Sequence, residues 1–72
     1  MSVDHTLQVR VNGEHRRVGE GLTIAELVRE LGFDPARVAV ERNLAVVPRS
    51  TLGEVRVKDG DELEIVRFVG GG

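Results

Sequence analysis

Thr23-Ile24-Ala25-Glu26-Leu27-Val28-Arg29-Glu30-Leu31-Gly32-Phe33 is the stretch on which the fold turns. Ile24, Leu27, Val28 and Leu31 fall at i, i+3, i+4 and i+7, which puts them on one stripe of an α-helix. Glu26, Arg29 and Glu30 take the opposite side and predict a solvated face. Thr23 followed three residues later by Glu26 is a capping box, in which each side chain satisfies a backbone N–H of the other. Gly32 stands where a left-handed C-terminal cap is wanted, and Phe33 where a Schellman turn folds the chain back. Pro35 forbids continuation. One amphipathic helix cannot bury its stripe alone, so it must lie across a sheet.

The flanking residues supply that sheet. Ahead of the helix, Thr6 to Asn12 alternates, with Leu7, Val9 and Val11 on one face and Gln8, Arg10 and Asn12 on the other, the signature of a half-buried strand. Asn12-Gly13 is a hairpin turn signal because both residues tolerate positive φ. His15 to Val18 is the returning strand, ended by Gly19 and Gly21. After the helix, Val38 to Arg42 is a short strand and Asn43 a bend. Ala45 to Val47 is a further strand, closed by Pro48, which suits an edge because it cannot donate to a ladder. Arg49 to Glu54 is irregular, with one 3₁₀ turn. Val55 and Val57 lead into a turn at Lys58-Asp59-Gly60-Asp61, and a final strand runs from Glu62 to Val69. Hairpin, helix, then more strands in one small chain predict an α+β β-grasp: a mixed sheet of four to five strands covering one main helix.

Composition limits the functions available. The chain has 72 residues, too few for more than one domain and one thin core, so 1–72 is read as a single domain with residues 1–5 loose. Asp and Glu number 12 against 10 Lys and Arg, and the basic residues are scattered, which gives no nucleic-acid footprint. No apolar run has the length of a membrane span. The absence of cysteine excludes a disulfide framework, an iron–sulfur cluster and a thiol nucleophile. A domain this small without disulfides predicts a soluble, cytoplasmic protein, a monomer when free.

The other candidates are weak. His5 and His15 have no cysteine or third histidine nearby, and zinc needs three or four convergent ligands. Asp59, Asp61 and Glu62 lack EF-hand spacing and are read as a turn of solvated acids. Arg16-Arg17 is surface charge on a hairpin. No acid/base pair or nucleophile constellation is present, so the chain is read as no enzyme, with no metal and no cofactor of its own.

Chemistry is left to the final stretch, Glu64-Ile65-Val66-Arg67-Phe68-Val69-Gly70-Gly71-Gly72. A strand runs directly into three glycines, the least ordered tripeptide available. With no side chains on the last three residues, this tail could enter a slot closed to bulkier peptides, Val69 to Gly72 carrying a carboxylate about 13 Å beyond the body. Leu63 and Ile65 should enter the core. Val66 and Phe68 then point outward and, with Arg67, form the candidate docking surface for partners.

Val38-Ala39-Val40-Glu41-Arg42-Asn43, Val46-Val47-Pro48-Arg49, Asp59-Gly60-Asp61, Glu64-Ile65-Val66 and the glycines, in that order, resemble the thiamine-biosynthesis sulfur carrier family (ThiS), which is ubiquitin-like. The resemblance covers nearly the whole chain after its first five residues. It implies that Gly72, preceded by Gly71 and Gly70 in a mobile tail, is adenylated and converted to a thiocarboxylate. The implied partners are an adenylyltransferase of the ubiquitin-activating type (ThiF-like), which uses the ATP, a thiazole synthase (ThiG-like) and a sulfur donor such as a cysteine desulfurase. Two alternatives stand beside it. One is a carrier for another client, as in molybdopterin synthase small subunits or tRNA thiolation; the other is a non-carrier β-grasp interaction module. Molybdopterin-type tails usually carry prolines before the glycine pair, whereas Arg67-Phe68-Val69 stands here.

Overall fold

The computed structural model describes residues 5–68; the expectations for residues 1–4 and for the tail at 70–72 lie outside them. His5 is exposed, and its carbonyl accepts a hydrogen bond from the Glu20 N–H at 2.9 Å.

Strand β1 (Thr6–Val11) and strand β2 (Glu14–Gly19) form the first hairpin. Val11 faces Glu14 across a two-residue turn in which Asn12 has φ 50° and Gly13 φ 83°, the left-handed pair that matches strand twist. Val9 and Val11 are buried, while β2 is exposed except at Val18.

Helix α1 (Ile24–Glu30) forms as its pattern requires. The Glu26 N–H donates to Thr23 Oγ1 at 3.1 Å and the Thr23 N–H to Glu26 Oε1 at 2.9 Å. The next N-terminal donors are met from afar: the Ile24 N–H bonds the Val55 carbonyl and the Ala25 N–H that of Leu52. At the other end Gly32 has φ 92°; its N–H reaches the Arg29 carbonyl and that of Phe33 reaches Val28, the two bonds of a Schellman turn. Ile24, Ala25, Leu27 and Val28 are buried, and Phe33 packs against the core from its edge.

A 3₁₀ turn at Pro35–Arg37 leads into strand β3 (Val38–Arg42), joined to strand β4 (Ala45–Val47) by a second two-residue hairpin. Its turn, Asn43 with φ 52° and Leu44 with φ 71°, repeats the left-handed geometry without glycine, tighter than the bend that the sequence suggests. A 3₁₀ turn follows at Arg49–Thr51, and strand β5 (Glu62–Arg67) closes the sheet. The order is β2-β1-β5-β3-β4. Strand β5 therefore lies at the centre, parallel to β1 and antiparallel to β3. Its Leu63 and Ile65 are buried beneath α1 together with Val38 and Val40. This is the expected β-grasp, with five strands and one α-helix among the described residues, and with β4 at the edge beside Pro48.

One expectation is overturned. Asp61 is no solvated acid: it is 4% exposed, the buried charged residue among those described. Its Oδ2 accepts from Arg42 Nε at 3.0 Å and from the Lys58 N–H at 2.8 Å, and its Oδ1 from Asn43 Nδ2 at 3.1 Å. Burying a carboxylate is tolerable because these donors replace its water. Asp59 and Glu62 stay exposed: Asp59 Oδ1 accepts from the Gln8 N–H at 2.8 Å, and Glu62 has Arg10 at 3.6 Å.

Both hairpin asparagines reach into β5. Asn12 Oδ1 accepts from the Ile65 N–H at 2.8 Å while Asn12 Nδ2 donates to the Ile65 carbonyl at 3.3 Å. Asn12→Gly keeps the positive φ and removes only these bonds. It should lower stability by about 1–2 kcal/mol and the melting temperature by roughly 4–16 °C, read by thermal unfolding.

Glu26 supplies a pH dependence. The Thr23 backbone N–H, then the Thr23 hydroxyl, hold its carboxyl below the ordinary carboxylate range. Since its folded pKa is depressed, its contribution is present above the unfolded value and is lost as pH falls through the folded one. Thermal melts of the wild type and of Glu26→Gln should differ near neutral pH and converge below the carboxylate range.

Candidate functional site

The site is the end of β5 and the face beside it. Alternation along the strand sends Leu63 and Ile65 inward and Glu64 and Val66 outward. Val66 is 58% exposed and Phe68, immediately after the strand, 55%. Phe68 is exposed, whereas Phe33 is partly buried against the core. Two of the three predicted docking residues therefore share the outer face. The third does not join them: Arg67 points to the helix side, opposite Val38, with its guanidinium carbon 5.8 Å from the centre of the Phe33 ring.

The outer face holds more apolar surface than the sequence suggests. Ala39, exposed, sits opposite Val66. On β4, Val46 is 72% exposed while its neighbour Val47 packs against the core. At the hairpin tip Leu44 is 93% exposed. Alternation about Val47 was the available signal for Val46; Leu44 gave none, because the tightness of its turn is not visible without glycine. Glu41 and Glu64, paired across β3 and β5, place two carboxylates between the apolar positions.

The backbone at the end of the strand is held beyond its ladder. The Phe68 N–H donates to the Arg37 carbonyl at 2.9 Å. The guanidinium of Arg49 lies over the Phe68 ring, 5.2 Å from its centre, and Arg49 Nη2 reaches the Val38 carbonyl at 3.4 Å. Arg49 carries no site role in the sequence reading, and no sequence spacing links it to Phe68. Gly70, Gly71 and Gly72 lie outside the described residues.

The remaining candidates stay apart. His15 is on exposed β2, far along the sheet from this end, and Arg16 and Arg17 are exposed beside it. Among the described residues no group of three His, Cys, Asp or Glu side chains is placed to hold a metal ion, and no helix is long and apolar enough to cross a membrane.

Comparison with known proteins places this geometry. A segment of a thiazole synthase from Paramagnetospirillum magneticum is 50% identical over 66 residues, covering 92% of this chain and 20% of that protein; the chain thus spans about a fifth of that relative's length. The sulfur carrier protein ThiS of Bacillus subtilis is 40% identical over 50 residues, 69% of this chain and 76% of the relative. The crystal structure of a thiamine biosynthesis protein (ThiS) from Geobacter metallireducens superposes with a TM-score of 0.73 at 34% identity, covering 92% of this chain and 100% of that one. The ThiS family model itself matches residues 9–72, from the middle of β1 through the helix, the second hairpin and β5, and the chain belongs to the ThiS family.

Proposed function

We propose that this chain is a sulfur carrier in thiamine biosynthesis and that the carboxylate of Gly72 is its working group. The observation that carries the proposal is the family match through residue 72, across a body whose last strand is fixed from both sides and delivers the chain to the rim of the sheet.

A carboxylate does not accept sulfur at neutral pH, because oxide is a poor leaving group. In the proposed sequence a carboxylate oxygen attacks the α-phosphorus of ATP and pyrophosphate leaves, giving an acyl adenylate. Sulfur at the sulfide level then adds to the carbonyl carbon, AMP departs with the electron pair, and a thiocarboxylate remains. An adenylyltransferase of the ubiquitin-activating type (ThiF-like) supplies the ATP site; a desulfurase-type donor supplies the sulfur as a persulfide, and a thiol reduces it to the sulfide level, itself ending in a disulfide with the donor's cysteine. The carrier needs no reactive side chain and no cofactor of its own. The match to part of a thiazole synthase supports a ThiG-like enzyme as the acceptor of the sulfur. The glycines at 70–72 suit passage through a narrow channel, since they present no side chain to its walls.

Incubation with ATP, the adenylyltransferase and a sulfur donor should raise the intact mass by the difference between one sulfur and one oxygen. Deleting Gly72 should abolish the increase and leave the thermal transition in place. An unchanged mass for the wild type under conditions that modify the Bacillus subtilis carrier would refute the proposal.

Val66 and Phe68 are proposed as the grip of the partner enzymes. Phe68→Ala should cost less than about 1 kcal/mol of stability, because it removes an exposed ring and one cation–π contact. It should weaken adenylation by roughly tenfold or more, the loss expected when an aromatic anchor leaves an interface. Parallel melting curves and adenylation assays decide this, and a large loss of stability with undiminished adenylation contradicts it.

A further inference from the structure

We propose that Arg49 is a positioning residue, which fixes Phe68 and so sets the point from which the last four residues reach their partner. The role in transfer rests on the sulfur-carrier reading; the contact itself does not. Pro48, with φ −57° and ψ 139°, turns the chain off β4 and leaves Arg49 at the start of the 3₁₀ turn. From that edge its side chain crosses the beginning of β3. One nitrogen reaches the Val38 carbonyl at 3.4 Å, and the guanidinium carbon lies 5.2 Å from the centre of the Phe68 ring. The distance is within cation–π range, and a flat, weakly hydrated guanidinium stacks on a ring where an ammonium does not.

Phe68 is otherwise lightly held. It lies past the last residue of β5, its ring is exposed, and its backbone N–H bonds the Arg37 carbonyl. Arg37 and Val38 are consecutive, so both ties anchor Phe68 to the same few ångströms of chain at the start of β3. The ring is 55% exposed, which leaves surface for a partner while Arg49 occupies its other side. Arg49 cannot touch the reacting carboxylate through this contact, since Val69 to Gly72 span up to about 13 Å. It acts through Phe68. With Phe68 fixed, association need not order that residue; with it released, ordering one more residue weakens association roughly tenfold.

The test has an arm on the protein alone and an arm with the adenylyltransferase. In Arg49→Gln the Phe68 amide should exchange with solvent about tenfold faster, while the Ile65 amide, tied to Asn12, keeps its rate. In the exchange measurement alone, Phe68→Leu should behave like Arg49→Gln, and Phe68→Tyr, which keeps the ring face, like the wild type. In the adenylation assay Arg49→Gln should raise the KM for the carrier about tenfold at nearly constant kcat, the pattern of lost uniform binding. Arg16→Gln on β2 should change neither measurement. An unchanged Phe68 exchange rate in Arg49→Gln overturns the proposal. So does a raised KM without faster exchange, which would make Arg49 a direct contact of the enzyme, and so does faster exchange at unchanged KM. If the wild type is not adenylated at all, the carrier reading fails, and the exchange arm still decides whether Arg49 holds Phe68.

Discussion

The structure depends on the insertion of β5 between β1 and β3. A central strand needs hydrogen-bond partners along both edges, and here neither neighbour is long enough to supply them alone. The parallel ladder with β1 covers Arg10 with Glu62 and Val11 with Leu63, and then β1 turns away. The Asn12 side chain continues it, presenting an acceptor and a donor to Ile65 as a further backbone residue would. On the other side the Asn43 N–H donates to the Glu62 carbonyl, and Asn43 Oδ1 accepts from the Glu62 N–H. Two hairpin tips, each with asparagine at positive φ, thus act as side-chain extensions of the sheet. The residue type serves twice, since asparagine tolerates the left-handed turn and also carries an amide that mimics the backbone.

Asp61 is the partner of this arrangement. It enters the strand beside Asn43 and draws together Arg42, Asn43 and the Lys58 N–H, so the second hairpin and the turn before β5 share one buried carboxylate. Hydrogen bonds to a charged group are worth about 1.5–3 kcal/mol each when the alternative is an unsatisfied buried atom, a large fraction of the stability of so small a domain. The helix is tied in by similar means. Seven residues are too short to be stable alone; capping by Thr23 and Glu26, and the carbonyls of Leu52 and Val55 at its N-terminus, fix it where its apolar stripe meets β5.

How much of this the sequence disclosed follows the range of the interaction. The capping box, the Schellman turn after Leu31 and the alternation of β1 and β5 are local, and each was legible because the residues that cooperate lie within a few positions. The Asn12-Gly13 turn was legible for the same reason. Asn43-Leu44 was not, since leucine carries no turn signal and is placed at φ 71° by the pairing of Arg42 with Ala45. Asp61 was misread because Asp-Gly-Asp in a turn is normally solvated; its donors at 42 and 43 are brought to it only by the long-range pairing of β3 with β5. At the candidate site, Val66 and Phe68 followed from alternation. Arg67, by the same alternation, belongs to the other face, and Arg49 comes from a different edge of the sheet.

The division of labour follows from these constraints. Several long-range polar interactions converge on β5: the two asparagine amides, the Asp61 carboxylate and, past the end of the strand, Arg37 and Arg49. The outer face, by contrast, keeps Val46, Val66 and Phe68 in water. That exposure confers no stability on the body, and it lies next to the point where the chain leaves the sheet. The body of this ThiS-family chain thus fixes β5 firmly and leaves the adjoining apolar surface uncovered.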